Sequence, residues 1–183
     1  MREVAVLFWN NVLSRNLIFI QFLGVLLAVV ETEGIRTSLK KGYILAKGIL
    51  ISAVLGWIFM AWIPEGSEYI ILWVFLTVSL IIIYFIQKSG YLTETWKGMP
   101  EFILILVPMI GLQWTVWEQG VDFADKIYMI AGSVAGFYLA FILIAAVKEQ
   151  IKLSETSMIF KKLPTLLLAI GFFALAVIGF SFL

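Results

Sequence analysis

The sequence contains neither cysteine nor histidine. Without these residues the chain cannot form a disulfide, hold zinc or an iron–sulfur cluster through thiolates, or ligate haem through imidazole. Catalysis by a cysteine nucleophile or by a histidine base is excluded for the same reason. We therefore expect no catalytic residue of these types, no metal site, and no cofactor held by Cys or His side chains of this chain.

Charge is also scarce. Only 14% of the residues are charged, whereas 62% are hydrophobic, and the mean hydropathy is +1.04. So little polar surface cannot cover the core of a water-soluble domain, and the composition predicts an integral membrane protein whose surroundings are the lipid bilayer. The net charge of +1 gives no basic surface for a nucleic-acid partner, and none is expected.

The apolar runs are long and lack the alternation of a membrane β-strand. In lipid every backbone polar group must be satisfied within the chain, and runs of this length and pattern select helices over the short alternating strands of a barrel. We predict an all-α membrane protein with six transmembrane segments, at residues 4–30, 43–63, 69–86, 102–117, 127–147 and 163–183.

Two of the apolar stretches are interrupted near their middle. Residues 17–30 contain Gln21 and Gly24, and residues 102–117 contain Pro108, Gly111 and Gln113. As straight helices the two stretches would reach about 21 Å and 24 Å, short of a hydrocarbon core of about 30 Å. The sequence therefore predicts that the first and the fourth transmembrane helices are broken.

The six segments form two sets of three, each with an interrupted segment followed by two long ones. An odd number of crossings in each half gives the halves opposite orientations, which is the arrangement of inverted-topology repeats. We predict one membrane domain over residues 1–183, built from repeats at approximately 1–90 and 91–183.

The distribution of basic residues predicts the orientation of the chain. Ten lysines and arginines fall on one predicted side, in three loops and at the head of the second segment: Arg36, Lys40, Lys41, Lys47, Lys88, Lys97, Lys148, Lys152, Lys161 and Lys162. By the positive-inside rule this side is cytoplasmic, so both termini of this multi-pass cell-membrane protein are expected on the non-cytoplasmic side. Lys47 lies one turn into its segment and is expected to extend its ammonium group to the interface.

A few polar residues are candidates for function. Gln21 and Gln113 lie in the two interruptions, where they either form a midplane site or bond across helices as packing contacts. Glu31 and Glu118 follow the interrupted stretches, and they either line a cation path or are ordinary interfacial carboxylates.

Three stretches carry a resemblance to a known family: RNLIFIQFLG (15–24), LVPMIGLQ (106–113) and IAAVKEQIKLSETSMIFKKLPTLLLAIGFFALAVIGFS (144–181). In their order and spacing the chain resembles the RnfA/RnfE and NqrD/NqrE membrane subunits of ion-translocating electron-transfer complexes. The resemblance covers essentially the whole chain, and the predicted orientation is similar to that of the RnfA/NqrE type. It implies a six-helix inverted-repeat subunit that pairs with a paralogous partner about a pseudo-twofold axis, with flavins and iron–sulfur clusters on other subunits of the complex.

The resemblance also implies an iron site that this chain cannot complete. Each family subunit offers one cysteine from each broken helix, and four together hold an iron or iron–sulfur centre in the membrane. Matched motif by motif, these cysteines fall on Leu26 and Trp114, which cannot ligate iron. The resemblance therefore carries over the fold and leaves out the redox centre.

Three functions follow as hypotheses. The first is a membrane subunit of an Rnf/Nqr-like redox-driven Na⁺ or H⁺ translocating complex, without iron ligands of its own. The second is a small-solute or cation transporter on the same inverted-repeat fold. The third is a structural scaffold subunit that packs other membrane subunits.

Overall fold

The computed structural model describes residues 2–32, 34–64, 68–88, 99–119, 122–153 and 163–180. Within these residues the chain forms seven α-helices and no strand: α1 (Arg2–Val12), α2 (Val25–Glu31), α3 (Ile35–Met60), α4 (Glu68–Lys88), α5 (Met99–Glu118), α6 (Phe123–Leu153) and α7 (Leu163–Phe180). Helices α3, α4 and α6 are long and apolar enough to cross a membrane, and α5 and α7 contribute shorter apolar stretches. The all-α, multi-pass prediction is confirmed.

The long helices extend beyond their predicted bounds. α3 begins at Ile35 instead of residue 43, so Arg36, Lys40 and Lys41 lie on its first turns and not in a loop. α6 likewise continues to Leu153. Lysine and arginine are good helix formers whose long side chains reach the aqueous interface, so a helix can continue through the headgroup layer where an apolar run stops.

The interruption of the first segment is confirmed. α1 ends at Val12, the backbone is irregular over residues 13–24, and α2 begins at Val25. The irregular stretch contains Phe22 at φ 56° and Gly24 at φ 96°. A left-handed conformation is costly for a residue with a Cβ atom and cheap for glycine, so the bend concentrates its backbone strain at Phe22.

The predicted break in the fourth transmembrane helix was wrong. α5 is a continuous helix of 20 residues with Pro108 inside it. Because it begins before residue 102, the helix reaches about 30 Å, so the short length from which a break was predicted is not observed. Pro108 removes one backbone donor and crowds the preceding turn, but membrane helices tolerate proline where neighbouring chain packs against the freed groups.

α3 and α6 form the centre of the bundle and run antiparallel. At one end the Ile35 amide donates to Glu149 Oε2 at 2.8 Å, and at the other end the rings of Trp57 and Phe123 pack 4.7 Å apart. α1 and α7 pack against α6, whereas α4 and α5 pack against α3. The largest fully buried side chains lie on these contacts and include Phe75, Phe137, Phe141, Leu45, Ile49 and Met109.

The fifth predicted segment is rich in small residues, a pattern that predicts the close approach of a neighbouring helix, and on α6 these residues allow α1 to approach closely. A Cβ atom on Gly132 would lie 2.6 Å from the Phe8 carbonyl oxygen, and one on Gly136 would lie 2.7 Å from the Val12 carbonyl oxygen. No side chain fits in that space, so the backbones of α1 and α6 touch only because both positions are glycine.

Candidate functional site

The irregular segment after α1 is held in place by Asn16, which is almost fully buried. Its side-chain oxygen accepts hydrogen bonds from the Ile18 amide (2.9 Å) and the Phe19 amide (3.1 Å). Its Nδ2 donates to the Val12 carbonyl (2.8 Å) and to the Gly136 carbonyl of α6 (2.9 Å). One side chain thus ends α1, shapes the turn that follows and fastens that turn to α6. Asn16 was not among the predicted candidates, although an asparagine at the break of an apolar run was the available signal.

The far end of the same segment docks on α5. A Cβ atom on Gly111 would collide with Leu23 Cδ1, so the Leu23 side chain occupies the space that the glycine leaves. A Cβ atom on Gly24 would lie 3.0 Å from Phe137 Cε2 and 3.4 Å from Pro108 Cβ. A break in α5 was predicted from Pro108 and Gly111. These two residues instead form the surface on which the interrupted first segment packs.

Gln21 lies at the edge of this docking surface, half-buried. Its Nε2 donates to the Arg15 carbonyl at 3.2 Å, and its Oε1 lies 3.4 Å from Thr115 Oγ1 of α5, whose single hydroxyl hydrogen is shared with the Gly111 carbonyl at 2.8 Å. Gln21, Leu23 and Trp114 are among the residues that line an open, mostly apolar cleft of about 690 Å³. Gln21 therefore contacts the neighbouring helix α5, as expected if it is a packing residue, and it also lines the cleft.

Gln113 lies in the interior and is 1% exposed. Its Nε2 donates to Ser79 Oγ of α4 at 2.8 Å and to the Met109 carbonyl at 3.2 Å. Its Oε1 lies against Gly56 of α3, where a Cβ atom would collide with it, and has no hydrogen-bond partner among the described residues. Gln113 thus joins three helices at a point where α3 has no side chain.

The structure does not bring the two glutamines into one site. Gln21 bonds Thr115, whereas Gln113 faces Ser79, and positions 113 and 115 of a helix point about 200° apart. A midplane site shared by Gln21 and Gln113 was predicted on the assumption of two matched breaks, and α5 has no break.

Leu26 and Trp114, the positions that match the family cysteines, both lie on the surface of the chain. Leu26 is 64% exposed on α2, and Trp114 is 42% exposed on α5, with its ring 4.8 Å from that of Trp117. Neither side chain carries an atom that ligates iron. Within the described parts of the chain no three His, Cys, Asp or Glu residues come together as a metal site. The residues present therefore do not fit the family's iron centre.

Glu31 ends α2 in a buried cluster of charges and is 2% exposed. Its Oε2 lies 3.4 Å from Lys41 Nζ of α3. Lys148 of α6 donates to the Val29 carbonyl at 2.7 Å and also to the Thr32 carbonyl. A cation at the C-terminal carbonyls of a helix complements its dipole, so α2 is tied to both central helices at this end.

Glu118 lies far from this cluster. It is exposed on the last turn of α5. α5 runs parallel to α3, because Met109 lies beside Gly48 and Gln113 beside Gly56. Glu118 is therefore at the opposite end of the bundle from Glu31.

The fold and these contacts define a class: a multi-pass α-helical membrane protein whose first segment is broken and docked between α5 and α6. A family model described as Rnf-Nqr subunit, membrane protein, matches residues 4–183. The chain belongs to the Rnf-Nqr family of membrane subunits, and the resemblance seen in the sequence is confirmed.

Several similar proteins share one name, the A subunit of the ion-translocating oxidoreductase complex. The chain is 24% identical over 190 residues to the protein of this name from Vibrio atlanticus, with 99% of this chain and 98% of the relative covered. It is 23% identical to the one from Yersinia pestis, with 99% and 97% covered. The protein of that name from Syntrophotalea carbinolica is 22% identical over 188 residues, with the same shares covered.

Proposed function

We propose that this chain is a membrane subunit of an ion-translocating oxidoreductase complex, in which electron transfer drives the movement of Na⁺ or H⁺. The observation that carries the proposal is the match over the full length of both chains to proteins named as the A subunit of such a complex. The family model supports it over residues 4–183. The interrupted first segment lies at the matched motif RNLIFIQFLG, so the most distinctive feature of the fold coincides with the resemblance.

In this complex the chain supplies no iron ligand. Leu26 and Trp114 occupy the positions of the family cysteines, and the sequence contains no Cys or His. The flavins and iron–sulfur clusters that move the electrons are therefore on partner subunits. The part left to this chain is to shape the membrane domain around those electron carriers.

The partner in the membrane is a paralogous subunit that meets this chain around Leu26 and Trp114. Both side chains are exposed, and so is Phe22, which lies four residues before Leu26 in the strained bend. Apolar side chains suit a contact with another membrane helix as well as they suit lipid. The strained backbone at Phe22 adds support, because such conformations persist at functional contacts.

The packing of the helices supports an inverted repeat with halves at approximately 1–90 and 91–183. The central helix of each predicted half, α3 and α6, runs antiparallel to the other, and the first segment of each half packs on the central helix of the other: α1 on α6 and α5 on α3. The continuous α5 and the broken first segment differ, so the two repeats have diverged at this point.

The proposed orientation places both termini outside the cytoplasm. The start of α3, with Arg36, Lys40 and Lys41, lies at the same end of the bundle as Lys148 and the end of α6. This clustering of basic residues at one end supports a cytoplasmic location for that end. Lys97, Lys161 and Lys162 belong to the same prediction but lie outside the described residues.

The proposal is tested by purifying the assembly from native membranes through an affinity tag on this chain and identifying its subunits by mass spectrometry. We expect a second Rnf-Nqr membrane subunit together with flavin-binding and iron–sulfur proteins. Recovery of the chain without any flavin or iron–sulfur protein, under conditions where a tagged known complex stays intact, contradicts the proposal.

The open cleft beside Gln21 favours a second candidate, a transporter of a small solute or cation on the same fold. The cleft holds about 690 Å³ and has Gln21 and Thr115 as polar lining groups among apolar ones. In this alternative Glu31 and Glu118 mark the two ends of a cation path. Solute or cation uptake in reconstituted vesicles is then expected to fall in the Gln21→Leu variant, because Gln21 lines the cleft, and unchanged uptake excludes the alternative.

A further inference from the structure

A groove between α3 and α4 lies on the outside of the bundle, away from the interrupted segment. It encloses about 720 Å³. One wall is a stripe along α3 at the three- and four-residue spacing of a single helix face, and the other wall comes from α4. The lining residues include Lys40, Tyr43, Lys47, Ile51 and Leu55 of α3, together with Ile81 and Phe85 of α4.

The groove is basic at one end and apolar along the rest of its length. Lys40 and Lys47 are separated by two turns on one face of α3, at the end where that helix begins. Both side chains are exposed, and neither forms an ion pair within the described parts of the chain. Lys47 Nζ lies 4.5 Å from the centre of the Tyr43 ring, so a cation–π contact holds the ammonium group at the groove mouth.

The dimensions of the groove match one leaflet of a bilayer. From Lys47 to Leu55 the helix rises about 12 Å, close to half of the roughly 30 Å hydrocarbon core. The apolar part, between Ile51, Leu55, Ile81 and Phe85, therefore has the length and chemistry of an acyl chain site. With that part in the hydrocarbon of one leaflet, the two lysines reach the level of the phosphates, where a basic pocket between transmembrane helices attracts an anionic headgroup.

The floor of the groove is shaped by a glycine. A Cβ atom on Gly48 would lie 2.5 Å from Ile86 Cδ1 and 2.9 Å from Met109 Cε. α3 and α4 therefore approach closely at Gly48 and form a continuous bottom beneath the larger residues of the two walls. A groove with a closed floor and two walls holds a chain more firmly than a flat helix surface does.

We propose that the groove between α3 and α4 binds an anionic glycerophospholipid, with its phosphate between Lys40 and Lys47 and one acyl chain along Ile51, Leu55, Ile81 and Phe85. The site is separate from the docking surface of the interrupted segment, and it does not depend on the redox role of the complex. It holds α3 to α4 from the lipid side.

The test uses the full-length chain in phosphatidylcholine bilayers and spin-labelled phosphatidylglycerol as the probe. Electron spin resonance measures the fraction of label immobilised by the protein, relative to spin-labelled phosphatidylcholine. We expect the wild type to prefer phosphatidylglycerol and the K40Q/K47Q double variant to lose about tenfold or more of that preference. K88Q is the matched control, because Lys88 is a basic residue on the last turn of α4 that does not line the groove. It is expected to keep the preference.

A second variant tests the acyl chain site without changing charge. Ile51→Trp fills the apolar part of the groove and is expected to lower phosphatidylglycerol binding while both lysines remain. If Ile51→Trp binds like the wild type, or if K88Q loses as much preference as K40Q/K47Q, the lipid is attracted to the surface in general and the groove site is refuted. Capture of another protein, instead of lipid, by a photocrosslinker placed at residue 81 in native membranes also refutes it.

Discussion

The Asn16→Ala substitution is expected to detach the interrupted segment from α6. The variant loses two accepted and two donated hydrogen bonds, all buried. The Ile18 and Phe19 amides and the Val12 carbonyl then have no other partner among the described contacts. Each buried unsatisfied group costs about 1–3 kcal/mol, and partial rearrangement of the turn reduces the sum, so we expect a loss of about 3–6 kcal/mol.

The assay is thermal unfolding of the purified chain in detergent, with hydrogen exchange as a local measurement. At about 2–4 °C per kcal/mol for a chain of this length, the loss lowers the midpoint by about 6–24 °C. The amides of Ile18 and Phe19 are expected to exchange faster. Asn10→Ala is the matched control, because the Asn10 side chain makes no hydrogen bond within the described residues. If Asn16→Ala unfolds within about 2 °C of Asn10→Ala, Asn16 does not hold the segment, and its proposed role in the bend is refuted.

Three other substitutions test the remaining contacts by the same unfolding assay. Gly136→Leu is expected to separate α1 from α6 and to destabilise the fold by more than about 3 kcal/mol, since even a Cβ atom there lies 2.7 Å from the Val12 carbonyl oxygen. Gly24→Ala is expected to cost about 1–2 kcal/mol, because a Cβ atom disfavours a φ of 96° and meets Phe137 at 3.0 Å. Gln113→Met is expected to change stability by less than about 1 kcal/mol, because the lost bond to Ser79 is offset by removal of an unpartnered buried oxygen.

A glycine elsewhere supplies the control for the two glycine variants. A Cβ atom on Gly171 of α7 meets nothing within 4 Å, so Gly171→Ala is expected to leave stability unchanged or slightly higher. If the unfolding midpoints of Gly24→Ala and Gly136→Leu equal that of Gly171→Ala, close packing at Gly24 and Gly136 does not hold α1 and α2 in place. A large loss in Gln113→Met, by contrast, would show that the amide itself is required.

The sequence predicted the elements that depend on composition and on small residues. Long apolar runs gave the helices α3, α4 and α6, because lipid leaves the backbone no other way to satisfy its polar groups. The small residues of α6 predicted a close approach, and Gly132 and Gly136 provide it. Gln21 and Gly24 predicted an interruption of the first segment, and the backbone is irregular up to Gly24.

The second break and the shared glutamine site were not predictable from the same signals. A proline and a glycine in an apolar run can break a helix or can leave space for a neighbouring segment, and the sequence does not distinguish the two cases. The position of Leu23 against Gly111 shows that here they leave space for a neighbouring segment. Gln21 and Gln113 are both polar residues in apolar runs, but a continuous α5 directs position 113 into the bundle and position 115 toward Gln21. Tertiary packing decided both cases.

The proposed function is tested most directly by measuring ion uptake that electron transfer drives in inside-out membrane vesicles. Vesicles are prepared from the source organism, from a strain that lacks this chain and from that strain carrying the chain again, and ²²Na⁺ uptake and acidification are followed after a reductant is added. We expect redox-driven uptake of one ion to be lost without the chain and restored with it, while ATP-driven uptake is unchanged. Equal redox-driven uptake in all three preparations would contradict the assignment of this chain to an ion-translocating oxidoreductase.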